Sequence, residues 1–203
     1  MTSSQSEFRS AEGPPAAPLA VALVVINAVL AVIAATAQSH ALPWRGQALW
    51  LGAVGCGLVV QATASGRQAW SGALAAGALL VAAGWGLGPG VAAARDPALQ
   101  YLLLPVLALV AVTELGLLST AAPRLFYLVL AVLFAPFTVL GFQTSTAPAY
   151  WLGAGSLALV AALAWLASGL HRALDDWARL RRQNQALVRD LVPVSYTHLT
   201  LPT

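Results

Sequence analysis

Few side chains in this 203-residue chain could do chemistry, and the most telling is Glu114, the one acid embedded in a long apolar run. An ionisable group in such a run costs a few kcal/mol to place in hydrocarbon, turns toward the protein interior and is a functional candidate by default. Gln61 lies at similar depth in a run travelling in the same direction, where a hydrogen bond to Glu114 would satisfy both side chains. Asn27, midway through the first apolar run, has the character of an interhelical hydrogen-bonding group. Glu114 therefore reads either as a proton or ligand sensor, or as a structural tie or a side chain snorkelling to the interface. Catalytic groupings are missing: no nucleophile stands beside a base, and no paired carboxylates or metal-ligand spacing occurs. His40 and His171 are expected on opposite faces of a membrane, so they cannot share a metal or haem. The single cysteine, Cys56, excludes a disulfide, zinc site or thiol relay within one chain. No catalytic residue, metal or cofactor is expected, and this stretch of chain is not expected to be an enzyme.

The elements that position these groups follow from composition. With 59% hydrophobic and 8% charged residues and a mean hydropathy of +0.77, the chain carries more apolar surface than a soluble core of this length can hide. The expectation is an all-α integral membrane bundle whose main partner is the lipid bilayer. Residues 1–18 are polar, then rich in Pro and Ala, and are expected to be a disordered start. Six apolar runs follow, at residues 19–37, 48–64, 69–87, 99–119, 125–142 and 150–170, each near the length that crosses hydrocarbon as a helix. The Ala35-Thr36-Ala37 ending of the first run imitates a signal-peptidase site, but the run is long and lacks a basic flank, so a spanning helix is preferred. Short connections predict antiparallel neighbours. Trp44, Trp50, Trp70, Trp85, Tyr101, Tyr150 and Trp151 fall near predicted ends, where amphipathic rings anchor at the headgroups.

Arginine placement sets the expected orientation. Arg9, Arg67, Arg124 and five tail arginines fall on one side, against Arg45 and Arg95 on the other, which puts both termini in the cytoplasm of a bacterial inner membrane. The lack of lysine alongside abundant Ala, Gly, Leu and Arg suggests a high-GC bacterial genome. The basic balance belongs to one helix, so no nucleic-acid partner is expected. Gly84 and Gly88 stand at GxxxG spacing and predict close helix packing, within the bundle or across a dimer, the former being favoured. The glycine-rich residues 84–90 lack the lysine of a phosphate loop and predict a helix end and turn. Pro105 and Pro136, in consecutive runs, predict kinks that could open an outward cavity.

Beyond the sixth run, residues 171–193 carry a different pattern. With Leu170, Trp177, Asn184 and Leu191 at heptad position a, Ala173, Leu180 and Leu187 take position d, the seam of a left-handed coiled coil. Asn184 alone interrupts the apolar seam, and one Asn at an a position fixes register and oligomer state in parallel dimers. Asp176 at g and Arg181 at the following e can pair between two chains. The competing reading is a basic amphipathic helix lying on the bilayer.

Residues 194–203, VSYTHLTLPT, resemble a codon-by-codon translation of a transposon mosaic end joined to a sequencing adaptor. Tyr196 and His198 accordingly receive no role, and the chain is expected to continue beyond Val192 in its natural form. The order of disordered start, loop-poor six-helix bundle and basic heptads resembles the membrane input regions of bacterial sensor proteins, those ahead of diguanylate cyclases, cyclic-di-GMP phosphodiesterases and sensor histidine kinases. The resemblance is one of architecture. It implies a homodimer in which residues 173–191 couple a small-molecule or membrane stimulus to an output domain, with cyclic-di-GMP turnover slightly favoured. The alternative is the N-terminal half of a transporter or permease, which explains a buried Glu and two proline-bearing neighbours but not a dimer seam.

Overall fold

The computed structural model describes residues 16–64, 71–96, 98–119, 122–143 and 147–197. Among these the regular structure is entirely helical: α1 (Ala16–Ala37), α2 (Trp44–Ala64), α3 (Ser71–Arg95), α4 (Leu99–Leu118), α5 (Pro123–Gln143) and α6 (Ala147–Thr197). All six helices are long and apolar enough to cross a membrane. Helix is the form such runs must take, because hydrocarbon offers no partner to backbone N–H and C=O groups and only local hydrogen bonding satisfies them.

Several boundaries differ from expectation, α2 among them, which starts at Trp44 and not at residue 48. Helix α1 begins at Ala16, inside the segment expected to be disordered, with Pro18 in its first turn, where a missing N–H costs nothing because the first helical amides have no intrahelical acceptor. Residues 1–15 lie outside the described residues. Helix α3 does not stop at the glycine run but continues through Pro89 to Arg95. The glycines are packing surfaces on opposite sides of the helix, so tertiary contact outweighs their weak helix propensity. A Cβ on Gly84 would meet Val54 of α2 at 2.8 Å, and one on Gly88 would fall on the Trp50 ring. Gly86 and Gly90 instead face α5, where a Cβ would lie 2.7 Å from the Val132 carbonyl oxygen and 3.0 Å from Pro136 respectively. The GxxxG pair thus packs within one chain, and Pro136 is a packing residue between α3 and α5. Pro105 is exposed, and both prolines sit inside continuous helices.

The chain divides into two compact units, one ending at Ala164 and the other starting at Trp165. In the first, α3 is the central helix and packs against α2, α5 and α4, while α1 packs against α4 and α2. Its side chains are arranged inside out relative to a water-soluble core. Val25, Val29, Val32, Leu49, Val59, Leu109 and Val139 point outward, whereas Asn27, Gln61, Glu114 and Ser156 are fully buried. Outward apolar and inward polar groups are what a lipid solvent selects. At the last pairing, a Cβ on Gly141 of α5 would lie 2.5 Å from the Gly153 Cα of α6, and Thr138 Oγ1 shares a 2.8 Å hydrogen bond with Ser156 Oγ.

The second unit contains the C-terminal part of α6. Leu170, Trp177, Leu180 and Leu187 of the heptad seam are exposed, as are Ala173 and Asn184. The Leu191 side chain and residues 198–203 lie outside the described residues; the helical backbone covers residues 194–197 of the adaptor-like string. The Arg181 guanidinium lies 5.5 Å from the centroid of the Trp177 ring one turn earlier. Arg172 and Arg182 donate from Nε to the Ser168 and Ala178 carbonyls at 3.1 and 3.2 Å.

Candidate functional site

The buried polar groups of the first unit converge on Glu114. Helix periodicity presents them: in α1 the buried set Asn27, Leu30, Ala31 and Ala34 follows i, i+3, i+4, i+7, and in α2 Trp50, Val54, Gly57, Leu58 and Gln61 make a stripe of the same kind. On α4, Val110, Thr113 and Glu114 share one face, and on α3 Trp85 continues a buried row through Ala78, Val81 and Ala82. Where those four faces meet, each polar side chain finds a partner on a different helix.

Gln61 Nε2 donates to Glu114 Oε2 at 2.7 Å, and Asn27 Nδ2 donates to Glu114 Oε1 at 3.2 Å. Asn27 Nδ2 also reaches Thr113 Oγ1 at 3.3 Å, while that hydroxyl donates to the Val110 carbonyl at 2.7 Å. Trp85 Nε1 donates to Asn27 Oδ1 at 2.9 Å. Indole nitrogen can only donate, so Trp85 dictates which end of the Asn27 carboxamide faces it and leaves the NH2 end for Glu114 and Thr113. Trp50 stacks edge-on against Trp85, ring centroids 5.4 Å apart and planes at 86°, which holds the indole on its other side. Room for Gln61 comes from α3: a Cβ on Gly77 would stand 3.0 Å from Gln61 Cγ.

The structure therefore brings Asn27, Gln61 and Glu114 together, including the bond between Gln61 and Glu114 that their matching depths suggested. It adds three members that the sequence did not mark as part of a site. Trp85 and Trp50 were expected as interfacial anchors and are instead buried inside the bundle, at 0% and 5% exposure. A proximity to predicted ends placed them at the headgroups, and the true end of α3, ten residues beyond Trp85, removes that reason. Thr113 was overlooked because threonine is unremarkable in an apolar helix; its position directly before the buried acid was the available signal. Trp44, Tyr101, Tyr150 and Trp151 are exposed, as anchors would be; Trp70 lies outside the described residues.

Among the described residues no group of three or more His, Cys, Asp or Glu side chains could hold a metal ion. His40 is exposed at the end of α1, and Cys56 is exposed on α2. What the assembled site can do is hold one carboxyl group in a fixed orientation by neutral donors from two other helices. Neither a protein-family model, a curated protein nor a solved structure matches the chain.

Proposed function

We propose that the chain is the membrane input region of a dimeric signal transducer, in which α6 carries a change in bundle packing into a parallel coiled coil. The observation that supports this reading is α6 itself, whose helix runs without interruption over residues 147–193 ahead of the adaptor-like string, more than twice the roughly 20 residues that cross hydrocarbon. Its N-terminal part is locked to α5 through Gly141, Gly153 and the hydroxyl pair of Thr138 and Ser156. Its C-terminal part carries the exposed seam of Leu170, Ala173, Trp177, Leu180, Asn184 and Leu187, continued by Leu191 in the sequence.

A helix with one end packed in a bundle and an apolar stripe at the other converts rotation or sliding in the first into a change of register in the second. The second copy of the chain is the natural cover for that stripe. Asp176 at g and Arg181 at e give the pairing charge complementarity in parallel orientation. Both termini are then cytoplasmic, and the output domain lies C-terminal to the coil, in keeping with the bacterial sensor proteins that the architecture resembles.

Disulfide cross-linking in native membranes tests the proposal. In a Cys56→Ser background, Leu180→Cys and Leu187→Cys at d should cross-link two chains, whereas Arg182→Cys at f should not. Equal cross-linking at d and f, or none at d, would overturn it. The transporter alternative draws on the buried Glu114 network, and it predicts that outcome.

A further inference from the structure

We infer that Glu114 is a proton-binding site within the bundle, with Asn27, Gln61 and Trp85 as its built cradle. Among the described residues of α1 to α5 it is the one acid, and the other charged side chains of those helices stand at their ends. Arg45 and Arg124 stand second in α2 and α5, and Arg95 closes α3. The three helices that bond into the site contribute neutral groups: α1 gives Asn27, α2 gives Gln61, and α3 gives Trp85 through Asn27. The titratable residues of α5 are Arg124 and Tyr127, both exposed, and neither is paired with the carboxyl group. The site supplies hydrogen bonds without a compensating positive charge, so a positive charge is what it can gain.

The orientation of the donors selects which one. Because Trp85 holds Asn27 Oδ1, the Asn27 atom facing Glu114 is an NH2 group. The Gln61 atom facing it is also NH2. A metal cation would meet the positive end of the Asn27 amide, which the indole holds in place, whereas a proton needs only a carboxyl lone pair. Of the roughly four such positions on a carboxylate, two receive these bonds. Protonation forms an O–H bond from a Glu114 oxygen lone pair, with the proton taken from water and returned to water on release; nothing is oxidised or reduced. The new O–H requires an acceptor. A half-turn of the Gln61 amide, which exchanges Nε2 for Oε1, supplies one, while Asn27 stays held by the indole.

This exchange of donor and acceptor links α4 to α2 differently in the two states. Trp85 sits directly before Gly86, whose contact is the α5 backbone, and α5 in turn abuts α6 at Gly141 and Gly153. As the identity of the stimulus, the inference rests on the input-region reading; as a chemical site, it does not.

The test uses the full chain in lipid nanodiscs. Glutamate occurs only at positions 7, 12 and 114, so a Glu7→Gln/Glu12→Gln chain grown with carboxyl-13C-labelled glutamate reports Glu114 alone, in its native surroundings, by infrared difference spectroscopy. Stepping the pH in choline chloride should produce a reversible gain and loss of the isotope-shifted carboxylic-acid band. Adding Glu114→Gln should abolish it, and Gln61→Leu should move its midpoint. A spectrum that does not change with pH makes Glu114 a structural tie and overturns the inference. So does a carboxyl band that responds to sodium in place of choline at constant pH, which would make it a metal-cation site. Neither result depends on whether the coil dimerises.

Discussion

Glu114, Asn27 and Trp85 form a chain of obligations in which each side chain fixes the next. Removing the carboxyl group strands two buried amide donors, and removing the indole frees the Asn27 carboxamide to turn its oxygen toward Glu114. Each unpaired buried group costs about 1–3 kcal/mol in proteins generally, while interhelical hydrogen bonds in membranes average less, about 0.6 kcal/mol with a maximum of about 1.7 kcal/mol. We therefore expect Glu114→Ala to destabilise the bundle by about 2 kcal/mol and Trp85→Phe by about 1 kcal/mol, measured as reversible unfolding in mixed detergent micelles. Because both act through Asn27, the double variant should lose less than the sum of the two. Strict additivity would mean that the indole does not orient Asn27. At this scale the sequence was informative where chemistry is rare. One acid in hydrocarbon must find partners, so Glu114 and Gln61 were legible from depth alone. Trp85 was not, since tryptophan serves equally as an anchor and as a buried donor, and only the true end of α3 separates the two roles.

The helices carry different loads according to where their glycines point. Gly141 touches the backbone of Gly153, so Gly141→Ala must part α5 from α6 and should cost about 1–3 kcal/mol, the usual range for overpacking. Gly52, whose Cβ would meet nothing within 4 Å, should accept alanine with no loss, and helix propensity favours it by about 0.5–1 kcal/mol. Thermal unfolding of the two variants side by side checks the contrast; equal effects would mean that the α5–α6 contact is not close. Six helices were readable from runs of apolar residues, because hydrocarbon thickness fixes their length. The end of α3 was misread because glycine and proline signal a turn in water, whereas in lipid an exposed turn would strand backbone groups, and glycine becomes a packing residue instead.

For the whole molecule, the proposed coil gives the seam of α6 the task of setting assembly. Asn184 at position a trades stability for a single register, so Asn184→Leu should give a more stable but less uniform oligomer, seen as species larger than dimers by light scattering of the detergent-solubilised chain. If the variant and the parent show the same mass, Asn184 does not specify the assembly. The heptads made the seam legible in the sequence, but the bundle that feeds it was legible only as a number of spans, since which helix touches which depends on faces that apolar runs do not distinguish.

The central position of α3 bears on how the protein is made. Helices α2 and α3 are the two least apolar of the six spans, and their glycine faces are complementary at Gly57 with Gly77, Val54 with Gly84, and Trp50 with Gly88. A span of modest hydropathy, rich in glycine, gains little by leaving the translocation channel alone. As a hairpin the pair exposes mainly its apolar outer faces to lipid, so α2 and α3 should leave the translocation channel together, with α2, made first, waiting beside it until α3 is docked.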